Sequence, residues 1–136
     1  MNKPPLIENV HYNTSEPIMD SEQIDMLLMA EDGDEASSLA SELFVLYYNE
    51  SMEKLKSLPG ICEKRDAEAL QRLVHFIAGS AGNLGLMRLS AFYRGIEQAI
   101  DAGELEDYDA CAVAIPQEFQ LSCQSFRERF GLKEPE

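Results

Sequence analysis

The stretch that decides the fold reads His75-Phe76-Ile77-Ala78-Gly79-Ser80-Ala81-Gly82-Asn83-Leu84-Gly85. It continues a stripe of Leu70, Leu73, Val74, Ile77, Ala81 and Leu84. These residues are spaced by threes and fours, the period of an amphipathic helix. With Ile77 at the centre of the stripe and 100° per residue, His75 falls roughly 160° away, on the opposite face. Gly79 and Gly82 share that face, one and two turns on. Each glycine costs a helix about 1 kcal/mol relative to alanine. Nothing in the apolar stripe needs them. A bare ridge beside an outward histidine predicts that another surface comes close to the imidazole.

Working outward, the histidine helix is expected to start near Asp66, a good N-cap residue. It runs to Leu84, and Gly85 suits the left-handed position past a helix end. The next helix carries Leu86, Leu89, Tyr93, Ile96 and Ile100, and ends around Asp101-Ala102-Gly103. The last carries Tyr108, Ala112, Ile115, Phe119, Ser122, Phe126 and Phe130. Its stripe passes through Pro116. That reads first as one kinked helix and second as a helix starting afresh at the proline. Upstream, a long helix spans roughly Asp34 to Leu58. Leu39, Leu43, Leu46, Tyr47, Met52 and Leu55 are candidates for its buried face, and Pro59-Gly60 stops it. A short helix is expected from about Asp20 to Ala30, with Ile24, Leu27 and Leu28 inward. No strand-like alternation of useful length and no internal repeat stands out. The expected fold is all-α: an antiparallel four-helix bundle with a short additional N-terminal helix. Residues 1–16 read as a flexible tail, 17–132 as the bundle and 133–136 as a short C-terminal tail. His11, in the first tail, reads as incidental.

Composition narrows the function. A chain of 136 residues is one domain with tails, able to bury about two-thirds of its unfolded surface. No apolar run approaches the ~18 residues of a membrane span, and the N-terminus lacks the apolar core of a secretory signal. Cys62, Cys111 and Cys123 form no C-x-x-C pair, and there are two histidines, so a zinc site is not expected. Reduced thiols and a cytoplasmic setting are the simplest reading. The net charge of −14 argues against nucleic acid and against an anionic membrane. Lys64, Arg65, Arg72, Arg88 and Arg94 nevertheless cluster around His75. A solvated helix surface explains that clustering equally well.

The outward histidine, the glycine one turn later and the closing Leu84-Gly85 resemble the histidine phosphotransfer (HPt) domain of two-component phosphorelays. That family reads approximately H-x-L-K-G-x(4)-L-G on the second of two long antiparallel helices. The flanks Leu73-Val74-His75-Phe76 and Leu84-Gly85-Leu86-Met87-Arg88-Leu89 are similar to free-standing phosphorelay proteins. Helix number and order match over roughly residues 17–132. The resemblance implies that His75 accepts a phosphoryl group from a receiver-domain aspartate and passes it to another receiver. The chemistry suits a neutral imidazole, which is both a good nucleophile near pH 7 and a good leaving group. Partners would be response-regulator receiver domains, a hybrid histidine kinase, or both. No cofactor of the protein's own is implied, and Mg²⁺ is expected on the receiver. A monomer is expected.

Other residues are weighed beside it. The family's lysine, three residues after the histidine, is Ala78 here. Arg72, one turn before His75, could replace that charge, or is a solvated surface residue. Without it, transfer is slower, or the site no longer turns over. Glu97 sits only about 40° off the apolar face of its helix when Tyr93 is taken as centre. It matches a family position whose polar residue hydrogen-bonds the histidine ring. Alternatively it makes a bundle-edge salt bridge with Arg94 or Arg88. Ser80 and Asn83 could donate hydrogen bonds to a phosphoryl group, or are simple surface residues. The main rival function is an HPt-like docking module that binds a receiver or kinase without phosphotransfer. An unrelated helical adaptor leaves the His–Gly ridge unexplained. A self-contained enzyme lacks any phosphate-binding glycine loop or Cys–His motif.

Overall fold

The computed structural model describes residues 3–20, 22 and 34–130. All regular structure among them is helical: α1 (Asp34–Leu55), α2 (Leu58–Lys64), α3 (Ala67–Asn83), α4 (Met87–Asp101) and α5 (Tyr108–Phe130). The α1 and α2 segments are two legs of one bent helix, so the molecule is the expected four-helix bundle. Apart from Asp20 and Glu22, the expected helix over residues 20–30 lies outside the described residues, as does the tail at 133–136.

Local chemistry sets the ends of α3. The Asp66 carboxylate accepts the Ala69 amide at 3.1 Å, satisfying one of the orphan donors of the first turn. At the other end Gly85 takes φ 77°, where a side chain would be strained. Gly85 then donates to the Gly82 carbonyl and Leu86 to the Ala81 carbonyl, the paired bonds of a Schellman stop. Leu84 and Leu86 are buried by the turn. This short closure forces α3 and α4 into an antiparallel hairpin, and the site sits on it.

The α4 and α5 helices follow their predicted stripes. Leu86, Leu89, Tyr93, Ile96, Ile115, Phe119 and Phe126 are fully buried. Pro116 lies inside a continuous α5 and does not start a new helix. The buried Tyr93 hydroxyl donates to the neighbouring Ile115 carbonyl at 2.7 Å. Arg88 donates to both oxygens of Glu118, at 2.8 and 3.0 Å, with the two side chains 5% and 3% exposed. This forked ion pair cross-links α4 and α5.

Three expectations need correction. Pro59-Gly60 does not end the long helix. The break comes earlier, at Lys56-Ser57, and Pro59 opens α2, where its missing N–H costs nothing. The buried face of α1 is only partly the expected one: Tyr47 is buried and Met52 and Leu55 pack against the core, but Phe44 and Ser51 point inward while Leu43 and Leu46 are 39% and 58% exposed. Phe44 stacks on Phe126 with centroids 4.8 Å apart, and the larger rings claim the interior ahead of the leucines. The side chain of Leu39 lies outside the described part of the structure. Finally, the segment expected to be a flexible tail packs on α4. Ile7 and Val10 are buried, and the Tyr12 ring lies 5.4 Å from Phe92. A Cβ on Gly95 would stand 2.8 Å from the His11 carbonyl oxygen, so that glycine admits the strap. The Pro17 and Ile18 carbonyls then accept the Arg88 and Met87 amides. They cap an α4 N-terminus that has no side-chain cap.

Candidate functional site

His75 stands on α3 with its side chain 69% exposed. Its Nδ1 lies 2.6 Å from Glu97 Oε2 on α4, and Glu97 itself is 20% exposed. An ionised carboxylate only accepts, so this contact assigns the proton of a neutral ring to Nδ1 and leaves the Nε2 lone pair free. The two side chains meet because α3 and α4 are antiparallel neighbours locked by the Gly85 turn. The expected pairing of Glu97 with the histidine ring is thus the one the geometry supplies. The salt-bridge alternative with Arg88 is not: Arg88 is held by Glu118 on the far side of α4.

One turn before His75, Gln71 Nε2 donates to Asp101 Oδ1 at 2.5 Å and reaches the Glu97 carbonyl at 3.4 Å. This pair braces the same helix seam. Nothing in the sequence alone marks Gln71 or Asp101 as site residues. Their only trace there is spacing, since each lies four residues from a member of the His75–Glu97 pair.

The other candidates disperse. Gly79 is exposed, and a Cβ there would meet nothing within 4 Å. No internal contact requires this glycine, so the space it leaves is available to an approaching partner. Gly82 instead turns into the α3–α4 seam, where an added Cβ would lie 3.6 Å from Ser90 Oγ. Arg72 Nη1 is drawn back to Glu68 at 2.7 Å, away from the imidazole. Ser80 and Asn83 line a groove between α3 and α1 with Leu43, Leu46, Tyr47, Glu50 and Leu84. They lie around the helix from His75 rather than beside it. Ala78 is fully buried and its carbonyl accepts the Ser90 hydroxyl at 3.0 Å. On the α1 side, Lys54 Nζ sits 4.4 Å above the Phe76 ring.

The arrangement is therefore a single outward nucleophilic nitrogen, oriented by a carboxylate, on a rigid helix with an open ridge next to it. The model of the Hpt domain matches residues 42–126, well over half of the chain. The chain belongs to the Hpt domain family. Among solved structures it is similar to histidine-containing phosphotransfer protein B (HptB) from Pseudomonas aeruginosa PAO1. Identity to that protein is 25%, with a TM-score of 0.67, over 86% of this chain and 97% of that one. No curated protein matches significantly. As a member of the Hpt family the protein is a histidine phosphotransfer carrier of phosphorelays. The family match begins within α1, so the strap over α4 lies outside it. No described helix is long and apolar enough to cross a membrane.

Proposed function

We propose that this protein is a phosphorelay intermediate in which His75 takes a phosphoryl group from the aspartate of one receiver domain and gives it to another. The observation that carries the reading is the 2.6 Å contact between His75 Nδ1 and Glu97 with the remaining ring nitrogen facing solvent. Nε2 attacks phosphorus, the N–P bond forms, and the P–O bond to the receiver carboxyl breaks. The carboxylate leaves with the electron pair. The ring keeps its Nδ1 proton and becomes a phosphoimidazolium, whose positive charge faces the Glu97 carboxylate. No proton has to leave, so the same steps run backwards onto a second receiver. Phosphoryl transfer depends mainly on alignment and charge neutralisation. The receiver would contribute Mg²⁺ and its own acidic pocket. Gly79 would let that pocket close over the imidazole without meeting a side chain. Response-regulator receivers, a hybrid histidine kinase, or both are the partners this reading names. A cytoplasmic monomer fits it.

The test is transfer from a radiolabelled, phosphorylated receiver of the same genome to wild type and His75→Gln. Acid-labile, alkali-stable label on wild type and none on the variant is the expected result. No label from any receiver, with measurable receiver binding, would instead establish a docking module. Ala78 is the feature that favours that second outcome.

A further inference from the structure

The transferred group would bring about two negative charges to a seam that already holds the Glu97 carboxylate. Charge of that kind calls for a nearby cation, because neutralisation, together with alignment, is what a protein contributes to phosphoryl transfer. The cations around His75 differ in availability. Arg72 is engaged by Glu68 and Lys54 by the Phe76 ring, and Arg88 is buried against Glu118.

Arg94 is different. It is exposed, and among the described residues it has no hydrogen-bond or ion-pair partner. Its place follows from the register of the α3–α4 seam. Gln71 meets Asp101, His75 meets Glu97, and Gly82 lies against Ser90. Each step forward on α3 is matched by the same step back on α4. Three residues on from His75 is Ala78, and three back from Glu97 is Arg94. The two are opposite each other. Ser90, Arg94, Glu97 and Asp101 also follow a 4-3-4 spacing, which keeps them on one stripe of α4. Ala78 is small and sealed in the seam, and Gly79 beside it has open space around it. The α3 positions between the level of Arg94 and His75 therefore carry no long side chain that would stand in the way. The distance to cover along the axis is about 4.5 Å, within the span of an extended arginine side chain.

We infer that Arg94 is the cation that neutralises the phosphoryl group on His75, reaching it from α4 across the position of Ala78. The guanidinium would donate to phosphoryl oxygens in a forked geometry that lysine cannot match. This inference rests on the assignment of His75 as the phosphoryl acceptor, and the test separates the two.

The test uses phosphoramidate as donor, which takes receiver docking out of the measurement. In that reaction Nε2 displaces ammonia from phosphorus. Wild type, Arg94→Ala, Arg94→Lys and Arg72→Ala full-length chains are labelled, and phosphohistidine is followed by ³¹P NMR. Arg94→Ala should label about tenfold more slowly, the size of one charge-assisted hydrogen bond. Arg94→Lys should recover part of the rate, and Arg72→Ala should match wild type. The gap between wild type and Arg94→Ala should narrow at high salt, which a folding defect would not do. Labelled wild type with Arg94→Ala within twofold of it would overturn the role of Arg94 and leave the carrier reading intact. Equal loss in Arg94→Ala and Arg94→Lys, with a lowered melting temperature, would assign Arg94 a structural role and also overturn it. An unlabelled wild type would overturn the carrier reading and this inference together.

Discussion

Replacing Glu97 by glutamine isolates what its charge does. Glutamine keeps a carbonyl oxygen able to accept the His75 Nδ1 proton, so the ring stays oriented. What is lost is the attraction between a carboxylate and the phosphoimidazolium. Two unit charges about 4 Å apart interact by about 1 kcal/mol in bulk water and about 4 kcal/mol at an effective dielectric of 20. The actual setting lies between these limits. Glu97 is 20% exposed but His75 is 69% exposed, so solvent screens one side of the pair. A value of about 2 kcal/mol follows, or about a thirtyfold slower forward transfer. The charge is absent before attack and present after it, so the effect falls on the acceptance step and on the equilibrium. Phosphate should shift back toward the receiver aspartate by a similar factor. Rapid-quench measurement of label moving from a phosphorylated receiver to wild type, Glu97→Gln and Glu97→Ala checks this. Glu97→Ala, which also frees the ring, should be slower still. If Glu97→Gln transfers within threefold of wild type, the carboxylate only orients the imidazole and the electrostatic argument is refuted.

Three further outcomes are expected. Gly79→Ala should stabilise the fold by about 0.5–1 kcal/mol, because a Cβ there meets nothing and helix propensity improves, as thermal melting would show. Gly79→Leu should label normally with phosphoramidate but poorly from a receiver, since the obstruction lies only in the partner's path. Glu118→Ala should destabilise the bundle by about 3–5 kcal/mol in urea titrations, because it removes the carboxylate from a buried guanidinium. Burial pushes the Cys111 and Cys123 thiols up to about 12 and raises Cys62 as well. Native protein should therefore resist thiol reagents at pH 8 and react only on unfolding. Because the folded state holds these protons more tightly than the unfolded one, the thiols' contribution to stability should be constant below about pH 8. It should then fall between about pH 8 and 12.

Where apolar residues recur with helical period, the sequence carried the architecture. The stripes of α3, α4 and α5 name their buried faces almost residue by residue, because each of these helices buries one continuous face. The α1 segment is harder to read. It carries leucines and aromatics on neighbouring faces, and period alone cannot say which face wins. Packing decides it: Phe44 and Tyr47 can reach Phe126 and Phe119, and Leu43 and Leu46 are left beside the groove. The strap is harder again. Ile7, Val10 and Tyr12 have no period, and the clearest mark of their docking is Gly95, a glycine in the middle of another helix.

The site shows the same division between what lies on one helix and what lies between two. An outward histidine with a glycine one turn on can be read from α3 alone. The partner of its ring can be read only when the register of α4 is known. On the sequence Glu97 stands out because a carboxylate so near a core face needs a partner. Its contact with His75 then fixes the register for the rest of the seam, through Gln71–Asp101 in one direction and Gly82–Ser90 in the other. The same register recasts the significance of Ala78. On the sequence it is a missing positive charge, and the natural substitute is sought on the same helix, at Arg72. In the fold Ala78 is sealed against α4, while Arg72 is turned back to Glu68. A cation can reach the imidazole from the facing helix just as well, provided the residue between is small. The absence of a side chain at Ala78 and the presence of an arginine opposite it are then one arrangement, distributed over two helices.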